Sequence, residues 1–132
     1  MAYQDWETKA QDFLKASKGN YAHLEDPDKI RMTLIDTHAT LECVLRGYLV
    51  DTHQLEQVRD AGQTNFPKLV QIAREKAGNW IIDAATEERL NYFNNLRNRV
   101  THAGQTASLA ALQELTQISR RIINRLLPGW SI

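Results

Sequence analysis

Four asparagines fall within eight positions of the stretch Asn91-Tyr92-Phe93-Asn94-Asn95-Leu96-Arg97-Asn98-Arg99-Val100-Thr101-His102-Ala103-Gly104. Apolar Leu90, Phe93, Leu96, Val100 and Ala103 recur through it at helical spacing, so it reads as a helix closing at Gly104. Asparagine is a poorer helix former than alanine, and four of them cost roughly 1–2 kcal/mol that packing or function must offset. The side chains able to do chemistry here are Arg97, Asn98 and His102. An imidazole exchanges a proton near neutral pH, and a guanidinium presents a planar fork to phosphate. Asn98 lies one turn before His102 and can orient the ring or hydrogen-bond a substrate. On a straight helix Arg97 and His102 lie about 140° apart, so one copy of the string makes a loose site. Arg and His in a last turn before Gly are also what capping and the helix dipole favour in any protein.

The nine residues Leu96-Arg97-Asn98-Arg99-Val100-Thr101-His102-Ala103-Gly104 resemble the signature of HEPN domains, an Arg followed by Asn or another polar residue and, a few positions on, by His. Arg97, Asn98 and His102 match those three positions. The stretch Leu41-Glu42-Cys43-Val44-Leu45-Arg46-Gly47-Tyr48-Leu49 is similar to an early helix of several HEPN branches. The resemblance implies a metal-independent endoribonuclease, with no cofactor, cutting RNA at a composite site where two copies of a homodimer juxtapose their motifs. In that reaction His102 would activate a ribose 2′-hydroxyl or protonate the leaving 5′-oxygen, and Arg97 would stabilise the phosphate as it gains charge. Arg99 and Thr101, inside the string, are expected RNA contacts. The implied biology is a stress, defence or toxin effector, with an antitoxin or regulatory protein as a further partner. The alternative is a noncatalytic HEPN-like module that binds RNA or protein as a dimer. Some HEPN toxins are silenced by modification of a Tyr two residues after the motif His; Gly104 stands there in this chain.

These residues need a scaffold, and the periodicity supplies helices throughout. Tyr3, Trp6, Ala10, Phe13 and Ser17 mark a first helix that Gly19-Asn20 is suited to stop. Asp26-Pro27-Asp28 opens a long second helix to about Thr52, with Ile30, Leu34, Leu41, Leu45 and Tyr48 on one face. After a polar connector holding Gly62, Asn65 caps a third helix with Phe66, Leu69, Val70, Ala73 and Ala77, ending at Gly78. Asp83 and Glu87-Glu88 open the fourth. Thr106 or Ser108 caps the fifth, where Leu109, Leu112, Leu115, Ile118, Ile122, Leu126 and Leu127 keep helical spacing until Pro128-Gly129. No strand-like alternation or repeat interrupts this, so the fold class is all-α, an antiparallel bundle of about five helices; the resemblance implies one HEPN-like domain over 1-132.

On the second helix His38 and Glu42 fall within the apolar arc, and buried polar groups need partners. The plainer reading of Glu42 is a structural ion pair or an edge position in water; the functional one is a pair with Arg97 or another Arg of the last two helices that supports it from behind, with His38 beside it. Two potential ligands one turn apart, with no third at fitting spacing, do not make a metal site.

Composition narrows the class. The chain has 132 residues with 16 basic and 16 acidic side chains, so its net field favours no nonspecific polyanion binding. Charge is nevertheless polarised: residues 1–66 carry 7 basic and 11 acidic groups, residues 67–132 carry 9 and 5. From Arg89 to Arg125 there are six Arg, no Lys and one acid, Glu114, a bias that suits a single-stranded RNA path. Tyr92 and Trp130 can stack on bases, though aromatic residues in small helical domains are usually core or interface. The single Cys43 excludes an internal disulfide and a multi-thiolate zinc site. With neither a membrane span nor a secretory leader in the pattern, the expectation is a cytoplasmic protein with no membrane partner.

Overall fold

Helices begin here on residues whose side chains replace missing backbone partners. Asp26 accepts from the Asp28 N–H (3.0 Å), Asn65 from Lys68 (3.0 Å), Asp83 from Thr86 (2.8 Å) and Ser108 from Ala111 (3.0 Å). The computed structural model describes residues 5–59 and 62–128. Its elements are α1 (Asp5–Tyr21), α2 (Pro27–His53), a 3₁₀ turn (Glu56–Val58), α3 (Phe66–Ala77), α4 (Ala84–Ala103) and α5 (Leu109–Leu126). The chain is an all-α bundle of five helices, with no strand among the described residues.

The organising element is α2, 27 residues long, which touches every other helix. Its apolar side chains Leu34, Leu41, Val44, Leu45 and Leu49 are fully buried. Antiparallel to it runs α1, tied at one end by the Trp6 indole N–H to Asp51 (2.9 Å) and at the other by Ser17 and Thr37 (3.1 Å). Where the two helices cross, the indole of Trp6 lies flat against Gly47, and a Cβ at that position would fall inside the ring. From the opposite flank α3 brings Phe66, Leu69 and Val70 into the core, while α4 adds Leu90, Phe93 and Leu96. Arg74 at the end of α3 clamps Glu87 at the start of α4 (2.8 Å), and Arg89 on α4 reaches Glu114 on α5 (2.6 Å). Among the described residues no helix is long and apolar enough to cross a membrane.

The predicted boundaries differ from the observed ones in small ways. The first helix passes Gly19-Asn20 and ends at Tyr21, and a 3₁₀ turn forms in the connector. Ser108, not Thr106, caps α5. Two residues expected in the core are outside it. Ala103 is exposed, as is every residue from Thr101 to Thr106, and Leu109 is exposed in the first turn of α5. Tyr3, Gly129 and Trp130 lie outside the described residues. Placing a methyl group at Gly47 must push α1 off α2, so Gly47→Ala is expected to lower unfolding stability by about 1–3 kcal/mol, measured by urea denaturation.

Candidate functional site

The last two turns of α4 carry the motif, and the helix terminus there is built from side chains as well as backbone. Gly104, at φ 67°, turns its N–H back to the carbonyl of Arg99, which also receives the N–H of Gln105 (3.3 Å). From α2, Arg31 donates to the carbonyl of Val100 (3.3 Å), filling one of the orphan acceptors of the final turn. With Phe93, Leu96 and Val100 turned inward, helical geometry leaves Asn94, Arg97 and Asn98 half-buried at the edge of the core, while Arg99, Thr101 and His102 are exposed.

One helix therefore separates the motif into two groups. Arg97 donates through Nη1 to Oδ1 of Asn98 (3.0 Å), so that amide oxygen serves the guanidinium and not the His102 ring. No hydrogen bond or ion pair to another described residue ties His102, which leaves its imidazole open to solvent. Arg99 donates to the side-chain oxygen of Gln105 (3.1 Å), a contact confined to the exposed helix end. The structure brings Arg97 and Asn98 together and leaves His102 on another face of the same helix, as the spacing requires.

Beneath Arg97 lies His38 of α2, only 1% exposed. Its ring stacks on Phe66 at a centroid distance of 4.3 Å and an interplanar angle of 41°, and neither ring nitrogen has a hydrogen bond. Burial lowers its pKa from 6.5 to about 4; the Arg97 guanidinium pushes in the same direction, while Glu42 and the Asn94 amide oppose it weakly. His38 is accordingly a neutral, apolar-packed imidazole that contributes a wall behind Arg97 and cannot reach solvent.

Glu42 forms a structural ion pair and does not support the motif arginine from behind. It pairs with Arg46 of its own helix, not with an arginine of α4 or α5: Oε2 accepts from Nη2 (2.7 Å) and Nε (3.1 Å), while Oε1 lies 3.9 Å from His38 Nδ1. The reason is reach and demand. Arg46 is buried one turn away and donates onward to the carbonyls of Val58 (2.8 Å) and Thr64 (2.9 Å), so its charge needs the carboxylate within the core. Sequence reasoning passed over Arg46 and Arg31. The signal for Arg46 was its position four residues after Glu42; nothing in the spacing marks Arg31 as the cap of another helix.

The remaining arginines of the basic half are mostly engaged in joining helices. Arg89 makes a bidentate pair with Glu114 and lies over the Tyr92 ring at 4.5 Å. Arg121 donates to Thr86 (2.8 Å), and Arg125 bonds the carbonyl of Trp80 while facing its indole at 5.5 Å. Tyr92 is exposed, with one face occupied by Arg89. Arg97, Arg99 and Arg120 are the cations of this stretch not spent on tying α5 to α4 or to the loop before it.

Among the described residues no group of three or more His, Cys, Asp or Glu is arranged to hold a metal ion. Burial raises the Cys43 thiol pKa, so it stays protonated within α2. No family model, no curated protein and no solved structure matches the chain.

His38 makes stability pH-dependent with a definite sign. Its folded pKa lies below its unfolded value, so the stabilising neutral form is fully retained above pH 6.5 and is lost as pH falls toward about 4. Over that window the wild type is expected to lose on the order of 3 kcal/mol through this group. His38→Leu should flatten the stability profile between pH 6.5 and 4 in urea melts, leaving only the carboxylate contribution.

Proposed function

We propose that this protein is a metal-independent endoribonuclease of the HEPN type, acting as a homodimer in the cytoplasm as a stress, defence or toxin effector. The observation that carries the reading is the state of the motif: an untied, exposed His102 on the same helix end as an Arg97 held by Asn98 and backed by His38. Arg97 and His102 diverge around α4, so a site needing both on one phosphodiester is completed by a second copy of the helix.

In the proposed reaction the nucleophile belongs to the substrate. His102 of one copy takes the proton of a ribose 2′-hydroxyl, and that oxygen attacks the adjacent phosphorus as the bond to the 5′-oxygen breaks. The developing charge on the phosphoryl oxygens is met by Arg97, whose fork Asn98 holds in one orientation. His102 of the other copy supplies a proton to the leaving 5′-oxygen. The products are a 2′,3′-cyclic phosphate and a 5′-hydroxyl, with no metal in the scheme. Arg99 and Thr101 flank the site as RNA contacts, and an antitoxin or regulatory protein covering the same helix end would silence it.

Incubating the purified protein with a mixed RNA pool in EDTA tests this directly. Wild type is expected to leave cyclic phosphate or 3′-phosphate ends, and His102→Ala and Arg97→Ala to cut about 10²–10⁴-fold more slowly with unchanged circular dichroism and dimer mass. A folded dimer that binds RNA in a salt-dependent way and yields no products would instead identify a noncatalytic binding module.

A further inference from the structure

On the face of α2 turned away from the motif, a cavity of about 140 Å³ opens between α1, α2 and α5. Its floor is apolar, formed by Leu14 and the buried Ile123. Hydroxyls line the walls, and their hydrogen bonds decide what they offer. Thr40 and Thr116 each donate to the carbonyl four residues earlier, Asp36 and Leu112, both at 2.8 Å, and so turn lone pairs toward the cavity. Ser119 is the exception. It is 2% exposed, and its Oγ has no hydrogen-bond partner. A buried hydroxyl left unpaired is uncommon in a folded protein and points to a missing partner within the cavity.

At the mouth stands the exposed Arg120 of α5, and the Tyr21 hydroxyl bridges α1 to Thr116 across it (2.9 Å). An apolar floor, acceptors and one unmet donor along the wall, and positive charge at the entrance together specify a complementary shape. Cavities of roughly this volume hold a single six-membered ring, and a fused bicycle exceeds it. A ring edge carrying a hydroxyl or amide can both accept from Ser119 and donate to Thr40 or Thr116, and an anionic substituent would lie against Arg120.

We propose that this cavity between α1, α2 and α5 is a binding site for a small single-ring anion with a hydrogen-bonding edge. Carboxylate and phosphate satisfy the entrance equally, so the shared chemistry is a polar-edged planar ring bearing an anionic group. The site is separate from the motif on α4 and does not rest on the proposed ribonuclease activity.

Isothermal titration of the full chain with 4-hydroxybenzoate and with 4-hydroxyphenyl phosphate tests the assignment and separates the two sources: the tighter ligand names the anion. Saturable binding of at least one is expected, with Ser119→Ala and Arg120→Gln each weakening it about 5-fold. Neutral benzyl alcohol and the bicyclic adenosine 5′-monophosphate are expected to bind more weakly than the matched anions. Ser119→Ala removes only an unpaired hydroxyl, so its unfolding midpoint should be no lower than wild type and a loss of binding cannot be assigned to misfolding. Absence of saturation at millimolar ligand, or equal binding by wild type and both variants, overturns the proposal. Adenosine 5′-monophosphate binding as tightly as 4-hydroxyphenyl phosphate overturns the single-ring assignment.

Discussion

A central helix enclosed on nearly all sides is the constraint from which the rest of this structure follows. Residues of α2 from Thr33 to Val50 are buried against four different helices and a 3₁₀ turn, so polar side chains there must find partners without water. Thr33 and Thr40 do so by bonding the carbonyls of Lys29 and Asp36, one turn back. Arg46 does so by combining Glu42 with two carbonyls of the loop that leads to α3, which also fixes where that loop crosses the bundle. Gly47 serves the same constraint sterically, since only the absence of a side chain lets the Trp6 indole close on the helix.

The enclosure also explains the character of the candidate site. His38 has no exposed edge and is held neutral by burial, so it acts on α4 through packing and not through proton transfer to a ligand. Arg97 rests against that wall with its guanidinium oriented by Asn98, whereas His102 projects from an exposed turn where nothing restrains it. A fixed cation and an exposed imidazole on diverging faces of one helix end divide the labour that the proposed reaction asks of two copies. Arg31 links the halves: by bonding the Val100 carbonyl it anchors the last turn of α4 to the start of α2.

Charge is deployed locally despite a net of zero. Arginines of the basic half that could track a polyanion are largely turned inward on their own bundle, Arg89 to Glu114, Arg121 to Thr86 and Arg125 to the Trp80 carbonyl, joining helices that share little apolar contact. Such exposed pairs are individually weak and contribute mainly register between α4 and α5. What remains for a ligand is concentrated at two places: the end of α4 and the mouth of the hydroxyl-lined cavity beside Arg120.

The five helices were already legible in the chain, because caps and breakers act within a few residues. Asp26, Asn65, Asp83 and Ser108 begin helices, and Gly78 and Gly104 end them, through bonds that local spacing already dictates. The sequence also determined the divergence of Arg97 from His102, since five residues along a helix fix that angle. Only the tertiary structure decided partners that come from other elements. Glu42 is satisfied by Arg46 because the same guanidinium must also hold the loop at Val58 and Thr64, a demand no helical period encodes. His38 became a neutral wall only when Phe66 and α4 closed over it, and Ala103, on the apolar stripe of α4, is nevertheless exposed together with its neighbours from Thr101 to Thr106. The unpaired Ser119 and its cavity arise from the meeting of three helices, a volume that exists in none of them alone.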